Sequence, residues 1–181
     1  WYNGGQLDFG KLYRGFSQEC NPGWYYGCGE FGAEGMDFVD LMRRRYPAEW
    51  IAEPFDPGNI VCAQSKGAHG SFFDTPATID EWVEATQAHQ YFATKAMTES
   101  FRRDPRMVSF AIHLFIDAWP SGWMKTIMDC ERNPKPAYFA YRKALSPILV
   151  NLRSDRFTYY AGETVSVETH ICNDTNTVIG D

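Results

Sequence analysis

Residues 24–32 read Trp-Tyr-Tyr-Gly-Cys-Gly-Glu-Phe-Gly, and this stretch decides the fold prediction. It is aromatic and rich in small residues, which is typical of a buried strand whose glycines let another backbone or a ligand come close. The preceding Asn21-Pro22-Gly23 is a turn signal that ends the helix predicted over residues 9–16 from its apolar spacing. We therefore predict a strand that ends on the carboxylate of Glu30.

Working outward along the chain, the next segments are predicted to be helical. A short helix is expected around Met36 to Arg45, followed by a long irregular loop over residues 46–76. Thr78-Ile79-Asp80-Glu81 has the form of a capping box and opens a helix that residues 102–105 end. The spacing of its apolar side chains predicts a buried face made of Trp82, Ala85, His89, Phe92 and Ala96.

The second half of the chain contains one more buried strand and then a change of pattern. Residues 108–116 are almost continuously apolar, which indicates a strand covered on both faces. After a polar-tipped loop, Pro136 begins a helix in the first-turn position that proline tolerates. This alternation of helices and strands is typical of a parallel sheet or barrel. From residue 147 onward, the segments 148–152 and 164–171 alternate apolar and polar residues, which indicates the start of an antiparallel sandwich.

Composition excludes several classes of partner. The formal net charge is −6 and the chain has no basic stripe, so neither nucleic acid nor an anionic membrane is an expected partner. No stretch is long and apolar enough to span a bilayer. The five cysteines are widely spaced, so we expect reduced thiols, no metal site and no cofactor. The chain begins with Trp1 rather than Met, so we expect it to be part of a longer polypeptide.

The predicted strand ends carry groups that suit carbohydrate chemistry. In parallel barrels the active site lies at the carboxyl ends of the strands, which here present Glu30 and, on the next strand, Asp117 followed by Trp119. A carboxylate can attack an anomeric carbon, and an aromatic ring can stack on the apolar face of a sugar. The alternatives are a salt-bridged carboxylate for Glu30 and a core ring for Trp119. Glu34 is the competing carboxylate, and its loop position favours a solvated or helix-capping role.

Four blocks of the chain resemble one enzyme family. Gly29-Glu30-Phe31-Gly32-Ala33-Glu34-Gly35 resembles the nucleophile segment of glycoside hydrolase family 2, the family of β-galactosidases, β-glucuronidases and β-mannosidases. Trp1-Tyr2 resembles the pair after the sixth barrel strand of that family, and residues 115–120 resemble the end of its eighth strand. Residues 133–138 resemble the entrance to its last barrel helix, and the blocks follow the order of the family.

The resemblance implies a fold class and a reaction. Residues 1–146 would form the last strands and helices of a catalytic (β/α)8 TIM barrel, an α/β fold, and residues 147–181 the beginning of an immunoglobulin-like β-sandwich. The chain would be a fragment of a retaining glycoside hydrolase that hydrolyses O-glycosidic bonds of β-glycosides through a covalent glycosyl-enzyme on Glu30. The second carboxyl group, which a retaining mechanism needs at about 5 Å, would lie outside the chain. We therefore expect a β-glycoside and the rest of the parent polypeptide as partners, and no useful activity from the chain alone.

The resemblance also implies substrate-binding residues, namely Trp1, His113, Asp117 and Trp119. The two tryptophans would form walls of the sugar pocket, with core packing as the alternative for each. His113 departs from the family, in which many members place a tryptophan as the floor of the pocket. This departure points to an altered substrate choice or to a core histidine. It also supports a second hypothesis, a non-catalytic carbohydrate-binding barrel derived from such an enzyme, and a metal-dependent barrel hydrolase is a third.

Overall fold

The computed structural model describes residues 21–60, 76–118, 125–154, 156 and 158–180. Within these ranges the elements are, in chain order, β1 (Tyr26–Phe31), α1 (Val39–Arg45), α2 (Ile79–Arg103), β2 (Met107–Ile112), α3 (Pro136–Ala144), β3 (Ile148–Ser154) and β4 (Val167–Asn173). Two 3₁₀ turns, Ala48–Trp50 and Pro57–Asn59, lie between α1 and α2. The helix predicted over residues 9–16 lies outside the described ranges. None of the described helices is both long and apolar enough to cross a membrane.

Strands β1 and β2 form a parallel pair, and α2 is the main element that connects them along the chain. Cys28 pairs with Phe110, and Phe31 pairs with Ile112, with an irregular register between these two pairs. Two parallel strands can be joined only by a long crossover such as a helix. The predicted α/β alternation is therefore confirmed for the described residues.

One hydrophobic core cluster lies between this sheet and α2, and it contains Phe31. The ring of Phe31 is fully buried and meets the ring of Phe101 edge-on at 5.0 Å between centroids. Cys28, Ala33, Ala93 and Met97 complete the buried cluster. A second cluster joins α1 to the first turns of α2 and consists of Met36, Leu41, Met42, Tyr46, Phe55, Ile60, Ile79, Trp82 and Val83. The two clusters fix the segment between β1 and α1, since Ala33 belongs to one and Met36 to the other.

Helix α2 begins as predicted but turns a different face inward. The capping box is present, with Thr78 accepting from the Glu81 amide and the Glu81 carboxylate accepting from the Thr78 amide. The predicted buried face was wrong beyond Trp82, because Phe92 is 37% exposed, and Ala85, His89 and Ala96 are only partly buried. The buried positions include the polar residues Thr86, Gln87, Gln90, Thr94 and Thr98. Several of these side chains hydrogen-bond to loop backbone, which compensates the cost of burying them.

Strand β2 is shorter than predicted. It ends at Ile112, because Leu114 beyond it bonds instead to residues 125–127. Phe110 packs against Phe101 of α2 at 5.4 Å between ring centroids, whereas Val108 is 66% exposed. The described residues cover only the α2 side of β2, so cover of its other face stays a prediction for the longer polypeptide.

Strands β3 and β4 form an antiparallel pair whose face toward α2 carries both apolar and polar side chains and whose other face is apolar and open. Leu149 and Asn151 are buried, and Asn151 accepts a 3.0 Å hydrogen bond from Arg103 at the end of α2. The neighbouring Arg102 donates to the carbonyl oxygens of Ala144 and Ser146 at 2.6 and 2.7 Å, which ties the helix ends to the start of β3. The opposite face exposes Ile148, Val150, Leu152 and Ile171.

Candidate active site

The carboxylate of Glu30 lies at the carboxyl end of β1 and is exposed, next to the fully buried Phe31. The buried lysine Lys125, which follows the segment after β2, is close enough for charges on Glu34 and Glu30 to act on it. Burial lowers the pKa of Lys125, and these two carboxylates oppose that shift. The site therefore combines an accessible carboxylate with a buried cation and a second, buried carboxylate.

His113 is brought directly against the segment that follows Glu30. Its amide donates a 2.8 Å hydrogen bond to the carbonyl oxygen of Phe31. A Cβ atom placed on Gly32 would lie only 2.4 Å from the His113 carbonyl oxygen, so the backbones meet where glycine alone fits. The His113–Leu114 peptide bond is cis. Glu30 and His113 thus share one edge of the parallel pair, as expected from the meeting of parallel strand ends.

Asp117 is buried and hydrogen-bonded to residues 126–128 rather than presented openly. Its amide donates to the Met128 carbonyl oxygen at 3.4 Å, and its carboxylate accepts from the Thr126 hydroxyl at 3.0 Å. Burial raises the pKa of Asp117, and the negative charge of Asp37 adds to this shift. Asp117 is therefore surrounded by other charged groups, and its predicted contact with sugar stays a prediction.

A buried ion pair lies below the loop that follows Glu30. The Lys135 ammonium is 2.9 Å from the Asp37 carboxylate, with side-chain exposures of 0% and 1%. Lys135 also donates to the Gly35 carbonyl oxygen at 2.8 Å, and the Tyr46 hydroxyl donates to Asp37 at 2.8 Å. Burial and the charge of Asp37 raise the pKa of Tyr46. Sequence reasoning missed this cluster, although Lys135 stands in the quoted block at residues 133–138.

The buried polar face of α2 holds the same loop from the other side. Gln90 donates to the Ala33 carbonyl oxygen at 2.9 Å, and Gln87 donates to the Met36 carbonyl oxygen at 2.8 Å. The Thr86 hydroxyl accepts from the Met36 amide at 3.1 Å. Residues 33–37 are therefore ordered by side chains from two other parts of the chain.

The prediction for Glu34 was wrong. Its side chain is fully buried rather than solvated, and the N-cap residue of α1 is Phe38. The cause is the inward path of the loop, which α2 and Lys135 hold beneath the surface. Of the two carboxylates in the segment, only that of Glu30 is exposed.

Trp1 and Trp119 lie outside the described residues. Over residues 21–60, 76–118 and 125–180, apart from residues 155 and 157, no cluster of three or more histidine, cysteine or acidic side chains is arranged to hold a metal ion. Cys28, Cys130 and Cys172 are free thiols.

The chain has the fold of part of known glycosidases. A β-D-mannosidase from Dictyoglomus thermophilum matches it with a TM-score of 0.67 at 19% sequence identity, over 95% of this chain and 20% of the enzyme. The exo-chitosanase of Amycolatopsis orientalis, solved with PNP-β-D-glucosamine, matches with a TM-score of 0.62 at 15% identity, over 80% of this chain and 20% of the enzyme. This chain thus spans about a fifth of the length of each.

These matches agree with the sequence resemblance at the level of the fold. Both enzymes belong to glycoside hydrolase family 2, and the shared region is a mixed α/β fragment of them. No protein-family model matches the chain, and no curated protein matches its sequence.

Proposed function

We propose that the chain is the nucleophile-bearing part of a retaining β-glycosidase. Residues 1–146 form the last part of the catalytic barrel, and residues 147–181 begin the β-sandwich. Glu30 is the nucleophile. The observation that carries the proposal is the exposed carboxylate of Glu30 at the end of a parallel strand, in backbone contact with the His113 segment. Catalytic groups of barrel enzymes lie at this end of the strands.

In the proposed reaction, a carboxylate oxygen of Glu30 forms a bond to the anomeric carbon of a β-glycoside. The bond from that carbon to the leaving oxygen breaks, and an acid outside the chain protonates the leaving group. Water, deprotonated by the same outside group, then attacks the anomeric carbon and frees Glu30. The acid/base lies in the rest of the parent polypeptide, so the chain alone turns over no glycoside.

The sugar is held by side chains at the same edge. His113 lies beside the loop of the nucleophile and supplies a hydrogen-bonding group. Asp117, Trp1 and Trp119 complete the proposed sugar-binding set, with the tryptophan rings stacking on apolar sugar faces. The matched enzymes direct the choice of test substrates toward aryl β-D-mannosides and aryl β-D-glucosaminides.

The test traps the glycosyl-enzyme in the intact parent protein. The reagent is a 2-deoxy-2-fluoro glycosyl fluoride with the same sugar configuration as the aryl glycoside that the protein turns over. It should label one carboxylate covalently. Peptide mass mapping should place the label on Glu30, and Glu30→Gln should abolish both labelling and turnover. Glu84→Gln is the matched control, because Glu84 is an exposed glutamate on α2 and its loss should leave turnover unchanged.

Three outcomes oppose the proposal in different ways. A label on Glu34 would move the nucleophile to the buried carboxylate. Wild-type turnover by Glu30→Gln would remove the nucleophile role altogether. Binding of glycans by the wild-type protein without any turnover would favour the non-catalytic carbohydrate-binding barrel, which is the second candidate because His113 replaces an expected tryptophan.

A further inference from the structure

The amide of Gln90 joins two loops at the edge of the sheet where Glu30 lies. Its nitrogen donates to the Ala33 carbonyl oxygen at 2.9 Å, in the loop that follows Glu30. The same nitrogen donates to the Thr126 carbonyl oxygen at 2.9 Å and lies 3.4 Å from that of Lys125, in the segment that pairs with residues after β2. An amide nitrogen carries two hydrogens, so one side chain can serve both loops at once.

The surroundings of Gln90 leave it little freedom to move. The side chain is fully buried on the core face of α2. A Cβ atom on Gly35 would lie 2.6 Å from its carbonyl oxygen and 2.9 Å from its Cβ and Cδ atoms, so the loop passes in close contact with it. The hydrogen bonds of the amide nitrogen offset part of the cost of burying this side chain, whose amide oxygen has no hydrogen-bond partner among the described residues.

We propose that Gln90 is a positioning residue, which holds the loop after the nucleophile Glu30 at a fixed distance from the Lys125–Thr126 segment. This inference rests on the proposed function. Retaining chemistry needs the attacking oxygen at a defined distance from the anomeric carbon, and a displacement of about 1 Å is enough to slow an enzyme by about 100-fold. Gln90 acts through the two loops and does not itself touch the sugar.

Gln87 provides the matched control. It lies one turn earlier on α2, is 6% exposed and donates to the Met36 carbonyl oxygen in the same loop. The side-chain hydrogen bond of Gln87 reaches the loop after Glu30, whereas the hydrogen bonds of Gln90 reach both loops. Replacing each glutamine by methionine removes the donors and keeps the side-chain length. The two variants therefore differ in whether the bridge between the loops is lost.

The experiment compares Gln90→Met and Gln87→Met in the intact parent protein. We expect Gln90→Met to lower kcat and the rate of covalent labelling of Glu30 by about tenfold to 100-fold, with KM changed by less than about threefold. Gln87→Met should change all three by less than about threefold. Hydrogen exchange should become faster in residues 33–36 for both variants, and in residues 125–128 for Gln90→Met alone.

A purely structural role would produce a different result. In that case the labelling rate of each variant would fall in proportion to the fall in its melting temperature, and this result would refute the inference. It would equally be refuted if Gln90→Met labelled Glu30 at the wild-type rate. If Gln90→Met does not fold, Gly35→Ala replaces it, because the added methyl group must displace the Gln90 amide. Gly35→Ala is expected to slow labelling by about tenfold, and an unchanged rate would overturn the inference.

The labelling readout separates this inference from the proposed function. If wild-type protein carries no label on Glu30, the proposed function fails, whatever the Gln90 variants do. If Glu30 is labelled in the wild type but the Gln90 and Gln87 variants behave alike, only the positioning role fails.

Discussion

Removal of the buried cation Lys135 should destabilise the protein more than any change at its surface ion pairs. The substitution Lys135→Met keeps the length and apolar stem of the side chain and removes only the ammonium group. It leaves the Asp37 carboxylate, which is 1% exposed, with the Tyr46 hydroxyl as its remaining hydrogen-bond donor among the described residues. It also removes the donor to the Gly35 carbonyl oxygen.

The size of the effect follows from burial of the pair. Loss of one member of a fully buried ion pair costs about 3–5 kcal/mol, because the other charge is stranded away from water. Lys95→Met is the matched control, since Lys95 contacts Glu99 at 2.8 Å but its side chain is 42% exposed. Glu99 is 10% exposed, but the Lys95 side chain reaches water, so this pair contributes about 1 kcal/mol or less. The same substitution should therefore cost about threefold more at Lys135 than at Lys95.

Urea denaturation of the intact protein measures both values, with the free energy taken from the midpoint and slope of the transition that reports this region. If the stranded charge of Asp37 causes the loss of stability, the effects of mutating Lys135 and Asp37 should not be additive. In an Asp37→Asn background, Lys135→Met should cost about 2 kcal/mol less, because no buried carboxylate is left unpaired. If Lys135→Met costs the same in both backgrounds, or no more than Lys95→Met, the buried pair does not stabilise the loop.

Three further results are expected. Gly32→Ala should destabilise the protein by about 1–3 kcal/mol and slow labelling of Glu30, because the added methyl group would meet the His113 carbonyl oxygen at 2.4 Å. Urea denaturation measures the first effect and the labelling rate the second. Thr78→Ala should cost about 1 kcal/mol in urea denaturation through loss of the cap that it forms with Glu81. Burial raises the pKa of Asp117 in the folded protein, so this carboxyl stabilises the fold below the ordinary aspartate pKa and loses that contribution as pH rises through the raised value. Asp117→Asn should therefore reduce the fall in melting temperature over that pH range.

Local signals in the sequence predicted the elements well. The capping box at Thr78, the proline at the start of α3 and the aromatic run of β1 each act over a few residues, so they can be identified without knowledge of the fold. The end of β2 was placed too late, because hydrogen bonding beyond Ile112 depends on a distant partner segment. The apolar residues after Ile112 could either continue the strand or leave it to bond with a distant segment, and apolar character alone does not distinguish these two paths.

The scaffold of the candidate site was not predictable in the same way. Lys135 and Gly35 are 100 residues apart in sequence, and each looks ordinary in its own neighbourhood. Helical spacing of apolar residues gave the wrong buried face for α2, because Gln87 and Gln90 are buried for their hydrogen bonds to loop carbonyl oxygens. The exposed nucleophile candidate Glu30 could be found from its motif, whereas the residues that hold its loop could be found only from three-dimensional contacts.

The two sides of the parallel pair have different roles in this interpretation. The side toward α2 is packed around Phe31, and from it Gln90 and Lys135 hold the loop after the nucleophile. The other side leaves Glu30 and Val108 exposed in this chain. In the proposed mechanism, the second carboxyl group at about 5 Å from Glu30 would approach from this open side, because the side toward α2 is occupied by packed side chains. The proposed barrel therefore needs the rest of the parent protein both to cover apolar surface and to complete the catalytic pair.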